Sequence, residues 1–227
     1  MADHQLRISE IFYSLQGETT FVGLPTVFVR LTGCPLRCLY CDTAYAFQGG
    51  EKYDIDTILQ SVKSYHTRYV TVTGGEPLAQ VHCKDLLVRL CDEGFVVSLE
   101  TSGAMDIAAI DERIYRIVDL KTPSSAELEK NLYTNIDHLT QRDQVKFVIA
   151  TRADFTWACE IVKQYQLTDR CEILFAPVSW MGLDLPNAIK ADQLTETALA
   201  ELILENRLAV RFQLQMHKKL WGNCEGK

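Results

Sequence analysis

The sequence predicts an α/β protein built as a partial (β/α) barrel. Short runs rich in β-branched residues alternate along the chain with segments that carry apolar residues at three- and four-residue intervals. Such alternation is typical of parallel strands joined by crossover helices. The sequence offers seven strand candidates. Because a complete barrel needs eight strands, we favour a partial barrel over a doubly wound sheet, although periodicity alone does not separate these two architectures.

The predicted elements follow one another along the chain. Strands are predicted at 26–31, 69–73, 96–100, 116–120, 144–149, 172–176 and 209–215. Helices are predicted at 55–65, 83–93, 154–165 and 193–205. Asp54 and Asp192 precede the first and last of these helices, where a carboxylate can accept the free amide groups of an opening turn. We therefore expect both aspartates to act as N-caps.

Composition limits the classes of function. A chain of 227 residues with 47% hydrophobic content fits a single domain, 1–227, with a substantial core. The net charge of −7 argues against a broad nucleic-acid or membrane footprint. The first residues show no secretory pattern, and the apolar stretches have only the length of strands. We expect a cytoplasmic protein whose eight cysteines are reduced.

Several predicted strands end in polar, glycine-rich segments. These segments are 30–34, 73–77, 100–103, 119–123 and 217–218. In both candidate architectures, the carboxyl ends of the strands carry the chemistry. The pattern therefore predicts one site that is ringed by several loops.

Cys34, Cys38 and Cys41 form a CxxxCxxC motif. Thiolates are soft ligands for iron–sulfur clusters, and three of them leave one iron of a 4Fe–4S cluster open to a substrate or cofactor. A structural zinc site stays open as an alternative, with a distant Cys83, Cys224 or His217 as fourth ligand. A redox thiol pair would leave Cys34 unexplained.

Further segments carry a resemblance to a known superfamily. Tyr40 precedes the last cysteine of the motif, and Thr73-Gly74-Gly75-Glu76-Pro77 follows the second predicted strand. With CxxxCxxC, these features resemble the radical S-adenosylmethionine superfamily, whose fold is a partial barrel. Within it, the chain resembles the 7-carboxy-7-deazaguanine synthase family in segments 12–18, 30–34, 41–43, 73–77, 100–103 and 215–218. The segment 119–123 matches one branch of that family.

The resemblance implies a reaction and its cofactors. The substrate would be 6-carboxy-5,6,7,8-tetrahydropterin, whose ring contracts with loss of ammonia to give 7-carboxy-7-deazaguanine on the route to queuosine and other 7-deazapurines. The implied cofactors are a 4Fe–4S cluster, S-adenosylmethionine and Mg²⁺. A homodimer and an electron donor such as a flavodoxin are also implied.

The resemblance assigns roles to single residues. The cluster ligands would be Cys34, Cys38 and Cys41, and Thr43 would bind magnesium. The substrate set is Leu15, Gln16, Gly17, Arg30, Thr73 and His217, in which the Arg30 guanidinium would grip the substrate carboxylate. The S-adenosylmethionine set is Tyr40, Gly74, Gly75, Glu76, Ser102 and Lys121, in which Glu76 would hold the methionyl ammonium.

Two competing functions remain at this stage. A radical S-adenosylmethionine activase that installs a glycyl radical on a protein would share CxxxCxxC and GGEP. It would not need Arg30, Gln16 and Thr43 as a set. A zinc-binding module without catalysis would be colourless and indifferent to S-adenosylmethionine.

Overall fold

The computed structural model of the protein describes residues 4–179 and 186–227, except for the side chain of Ala188. Within these ranges, nine strands form one sheet in the order β3-β1-β2-β4-β5-β6-β7-β8-β9. The strands are β1 Gln5–Leu15, β2 Pro25–Leu31, β3 Glu51–Asp54, β4 Tyr69–Gly74, β5 Val96–Thr101, β6 Tyr115–Leu120, β7 Gln144–Ile149, β8 Glu172–Pro177 and β9 Arg211–Phe212.

Six α-helices lie between or after these strands in the same part of the chain. They are α1 Ile55–Ser64, α2 Cys83–Asp92, α3 Arg152–Gln164, α4 Asn187–Ala191, α5 Glu196–Glu205 and α6 Met216–Trp221. A short 3₁₀ turn, Ala44–Phe47, follows the cysteine motif. No helix among the described residues is both long and apolar enough to cross a membrane.

Seven neighbouring strands, β2 and β4 to β9, pair in parallel throughout. This arrangement confirms the predicted partial barrel. The sheet is open, since β3 and β9 are its two ends. The sequence reasoning missed β1 and β3, which extend the sheet through antiparallel pairs. It missed them because it looked for strands separated by helices, whereas β1 joins β2 directly through a loop.

Alternation along the parallel strands decides which side chains face the helices and which face the site. In β7, Val145 and Phe147 are fully buried in the core that packs under the helices. Lys146 and Val148, which lie between and after them, line a cavity on the opposite face. Because strand side chains point alternately to the two faces, each strand contributes both to the core and to the site.

The helix starts differ in part from the prediction. The Asp54 carboxylate caps α1 as predicted, by accepting a hydrogen bond from the Thr57 amide at 2.7 Å. The prediction for Asp192 was wrong, because this residue follows the end of α4. The cap of α5 is Thr195, whose hydroxyl oxygen accepts from the Ala198 amide at 3.1 Å. The last predicted strand, 209–215, is reduced to the two residues of β9.

Candidate active site

A single cavity collects the predicted site residues at the carboxyl ends of the parallel strands. Fifteen of the sixteen line it: Leu15, Gln16, Gly17, Arg30, Cys34, Cys38, Tyr40, Cys41, Thr43, Thr73, Gly74, Gly75, Ser102, Lys121 and His217. Glu76 is the exception. Segments that are up to two hundred residues apart in sequence therefore converge on one space.

The three motif cysteines are free thiols that are partly exposed to this cavity. Burial raises the pKa of all three, and that of Cys38 reaches about 11. Metal binding at this loop must therefore displace protons.

The spacing of the thiols argues against a preformed zinc site. Sulfur ligands of a tetrahedral zinc lie about 3.8 Å apart. In the described residues, only His4, His82 and Asp85 place three potential metal-ligand atoms within 4.8 Å of one another, and none of them lines the cavity. The three thiols therefore do not form so compact a set, and a zinc ion would have to draw them together.

Gly75 allows the loop after β4 to lie against the loop that carries the cysteine motif. A Cβ atom at this position would lie 2.4 Å from the Gly33 carbonyl oxygen and 2.8 Å from Cys34 Cβ. The Glu76 amide then donates to the Gly33 carbonyl at 2.8 Å. A side chain at position 75 would therefore push the GGEP segment away from the cysteines.

Glu76 is fully buried behind the cavity wall. Its Oε1 accepts from the Leu78 amide and the Thr101 hydroxyl, both at 2.9 Å. Its Oε2 accepts from the amide and the hydroxyl of Ser102, at 2.7 and 2.5 Å. The structure thus places Glu76 as the support of Ser102, and its contact with an ammonium group stays a prediction.

Tyr40 and Lys121 also line the cavity. The Tyr40 hydroxyl lies 2.8 Å from Thr122 Oγ1, and burial raises its pKa well above the usual range. Lys121 Nζ lies 3.2 Å from Asp119 Oδ1. The same oxygen is buried and accepts no hydrogen bond from any described residue. The contact between Lys121 and Asp119 is therefore an ion pair and not a hydrogen bond.

A cluster of hydrogen-bonded polar side chains lies at the cavity and comes from β4, β5 and the loop after β1. Gln16 Nε2 donates to Thr71 Oγ1 at 3.1 Å and lies 3.3 Å from Glu100 Oε1. The Thr73 hydroxyl donates to Glu100 Oε2 at 3.3 Å. Burial raises the pKa of Glu100, and Glu18 adds to this effect, although Lys146 opposes it. This carboxyl therefore holds a proton more readily than a free one does.

Lys146 was missed by the sequence reasoning, although a lysine inside the apolar run of β7 is a usable signal. Its Nζ donates to Glu18 Oε2 at 2.9 Å and lies 3.5 Å from Asp119 Oδ2. Burial opposes ionisation of Glu18, but the Lys146 ammonium and the nearby His217 lower the pKa of this carboxyl. Two carboxyls in one cavity, Glu18 and Glu100, thus favour opposite protonation states.

The C-terminal segment closes over the loop after β1. The Met216 amide donates to the Gly17 carbonyl at 2.9 Å. A Cβ on Gly17 would lie 2.2 Å from His217 Nδ1, so only glycine leaves room for the histidine. Gln215 Nε2 donates to Glu18 Oε1 at 2.9 Å and to Asp42 Oδ2 at 3.0 Å.

Asp42 and Thr43 offer hard oxygen atoms beside the last cysteine. The Thr43 hydroxyl donates to Asp42 Oδ1 at 2.9 Å, and Lys218 Nζ donates to Asp42 Oδ2 at 2.5 Å. Although burial opposes it, Lys218 holds the pKa of Asp42 well below its usual range. A hydroxyl and an ionised carboxylate are donors that suit magnesium.

The residues present fit the cofactors that the motif implies. Three thiols that are free of disulfide bonds share the cavity with a glycine whose missing side chain allows a close approach. The buried Asp119 oxygen still lacks a hydrogen bond from any described residue. The three thiols therefore suit an iron–sulfur cluster, and that Asp119 oxygen suits a polar ligand bound beside the cluster.

Comparisons with known proteins agree with this chemistry. The model of the Radical SAM superfamily matches residues 28–175. The 7-carboxy-7-deazaguanine synthase of Chlorobaculum tepidum is 42% identical over 96% of this chain and 94% of its own length. That of Koribacter versatilis is 38% identical over 95% of this chain and 97% of its own.

Solved structures show the same fold. QueE from Escherichia coli superposes with a TM-score of 0.72 at 23% identity and covers 94% of this chain and 95% of its own. Streptococcus suis SuiB bound to S-adenosylmethionine reaches a TM-score of 0.55 at 14% identity, over 81% of this chain and 48% of its own. The chain belongs to the radical S-adenosylmethionine superfamily and, within it, to the 7-carboxy-7-deazaguanine synthase family.

Proposed function

We propose that this enzyme acts on 6-carboxy-5,6,7,8-tetrahydropterin and contracts its ring, with loss of ammonia, to 7-carboxy-7-deazaguanine. One observation carries the proposal: the cavity that holds the cysteine triplet also holds Arg30 and the Gln16–Glu100 polar group. An activase of a protein glycine needs access for a polypeptide and no such group. A carboxylated heterocycle uses both.

The proposed cofactor sites follow from the lining of the cavity. Cys34, Cys38 and Cys41 hold the 4Fe–4S cluster, and S-adenosylmethionine lies against Tyr40, Gly74, Gly75, Ser102 and Lys121. Thr43 provides an oxygen to Mg²⁺ beside Asp42. When bound, the cluster and S-adenosylmethionine supply a carbon-centred radical that abstracts a hydrogen atom from the substrate.

The chain positions the substrate through its charges. Arg30 binds the substrate carboxylate. The ionised Glu18 accepts hydrogen bonds from the amino-pyrimidinone edge of the pterin, whereas Glu100, whose pKa is raised, donates one. Gln16, whose amide nitrogen donates to Thr71 and Glu100 and whose Oε1 accepts from the Glu18 amide, offers the second lone pair of that oxygen to the same edge.

The C-terminal segment shields the reaction. His217 packs against Gly17, and Gln215 bridges Glu18 to Asp42. These contacts cover the side of the cavity that lies between the loop after β1, which carries Gly17 and Glu18, and the loop that carries the cysteines and Asp42. Exclusion of water protects a radical from side reactions, so this cover is part of the chemistry.

We also propose a domain organisation, a cellular setting and partners for this enzyme. We infer one domain, 1–227, because a single sheet carries the described residues. Free thiols at all eight cysteines support a reducing, cytoplasmic setting. A flavodoxin-like electron donor, a homodimer and the absence of nucleic acid as a partner follow from the family resemblance and the acidic charge of −7.

The test is anaerobic turnover of the reconstituted protein with 6-carboxytetrahydropterin, S-adenosylmethionine, magnesium and dithionite. Mass detection of 7-carboxy-7-deazaguanine, abolished in Cys38→Ala, would support the proposal. Cleavage of S-adenosylmethionine with the pterin left intact would refute the substrate and favour an activase. A colourless protein that binds zinc and cleaves nothing would refute the cluster.

A further inference from the structure

A bulge in β1 decides which residue lies opposite Arg30. Ile8 pairs with Leu31, and the next pair is Glu10 with Arg30, so Ser9 is an extra residue on this strand. An extra residue reverses the side-chain alternation that follows it. Without the bulge, Ser9 would lie opposite Arg30. The irregularity therefore brings a carboxylate to the guanidinium.

Glu10 and Arg30 form a close and largely buried contact. Arg30 Nε donates to Glu10 Oε1 at 2.6 Å, with the two side chains 15% and 20% exposed for Arg30 and Glu10. The Tyr45 hydroxyl donates to the same Glu10 oxygen at 2.8 Å. The guanidinium carbon also lies 5.8 Å from the ring centres of Phe12 and Tyr45. Three side chains from two elements, Glu10 and Phe12 of β1 and Tyr45 of the 3₁₀ turn, thus restrict one arginine.

The contact leaves a defined part of Arg30 available. Glu10 occupies Nε, and among the described residues no hydrogen bond engages the two terminal nitrogens. Arg30 lines the cavity, but neither Glu10 nor Tyr45 does. A guanidinium held through Nε presents its two terminal nitrogens as a planar fork, which matches the two oxygens of a carboxylate.

We propose that Glu10, supported by Tyr45, is a positioning residue that fixes Arg30 so that its terminal nitrogens receive the substrate carboxylate. The proposal rests on the proposed function, in which Arg30 binds that group. Glu10 also provides the counter-charge that a buried guanidinium needs while the site is empty. The 3₁₀ turn after the cysteine motif, which carries Tyr45, thereby reaches the carboxylate subsite.

The experiment measures equilibrium binding of two probes to the cluster-loaded enzyme under anaerobic conditions. The probes are 6-carboxytetrahydropterin and its neutral 6-hydroxymethyl analogue. In Glu10→Ala, Arg30 loses its Nε partner, and we expect the Kd of the carboxylate to rise tenfold or more, with that of the analogue unchanged. Glu10→Gln keeps an oxygen acceptor for Nε and should restore part of the affinity.

Two further variants complete the design. Tyr45→Phe keeps the ring and removes the hydroxyl, so the same Kd should rise about threefold. Glu93→Ala, which removes a carboxylate that pairs with Lys63 on the surface, is the matched control and should change neither Kd. The Tyr45 variant also keeps the proposal open to test if Glu10→Ala does not fold.

The outcomes separate this proposal from the proposed function. If the wild-type enzyme does not convert the carboxypterin, the proposed function fails. If it does, but Glu10→Ala binds both probes as the wild type does, Glu10 does not position Arg30. Equal weakening of both probes would also overturn the proposal, because it would show that Glu10 only supports the hairpin of β1 and β2.

Discussion

Replacing Glu76 by glutamine tests whether a buried carboxylate holds the GGEP segment to the end of β5. Each oxygen of Glu76 accepts a backbone amide, from Leu78 on one side at 2.9 Å and from Ser102 on the other at 2.7 Å. A glutamine side chain has only one oxygen. Whichever way its amide group turns, its NH₂ meets a backbone N–H.

The expected loss can be worked from these contacts. The lower-cost orientation keeps the amide oxygen at Ser102 and leaves only the Leu78 amide without an acceptor, because the Thr101 hydroxyl also lies 3.0 Å from Oε2. Hydrogen bonds to charged groups contribute about 1.5–3 kcal/mol each, so the loss of this one amounts to roughly 1.5–3 kcal/mol. This is a substantial part of the roughly 5–15 kcal/mol that stabilises a typical domain.

Urea denaturation of the cofactor-free protein, followed by circular dichroism, measures the change in the free energy of unfolding. Glu93→Gln, at a surface ion pair, is the matched control and should change it by less than about 1 kcal/mol. A loss below about 1 kcal/mol in Glu76→Gln as well would refute the reasoning, since it would mean that the carboxylate carries no net stabilisation.

Two further predictions concern the cavity. Gly17→Ala places a Cβ 2.2 Å from His217 Nδ1, so it should displace the C-terminal segment, raise KM at least tenfold and speed proteolysis there; unchanged KM and cleavage would contradict it. The folded-state pKa of Glu100 is raised above its unfolded value, so ionisation of this group opposes folding once the pH exceeds about 4.5. Glu100→Gln should therefore unfold at higher temperature than the wild type at pH 8, the difference disappearing below pH 4.5; a pH-independent difference would refute this sign.

The parallel part of the fold could be predicted because buried strands and amphipathic helices leave different periods in the sequence. The prediction of a common site followed from polar residues at strand ends, since parallel strands end at one edge. β1 was not predictable on that basis, because its partners are antiparallel and no helix separates it from β2.

Other features of the site depend on the register of distant segments. Lys146 was visible as a charge in an apolar strand, but its pairing with Glu18 follows only from the tertiary contact between β7 and the loop after β1. The bulge that brings Glu10 to Arg30 is a displacement by one residue, which no periodicity reveals. The orientation of Glu76, away from the cavity, depends on the turn that its own carboxylate stabilises.

The contacts of the C-terminal segment also bear on how the site forms during folding. Gln215 reaches Glu18 across 197 residues of sequence and Asp42 across 173. Closing loops of this length costs entropy before any contact rewards it, so these pairs form late. On the ribosome, almost the whole chain must be made before Glu18 and Asp42 meet these partners. The sheet can assemble from its N-terminal half while the cysteine loop still lacks its cover, so the site is completed last.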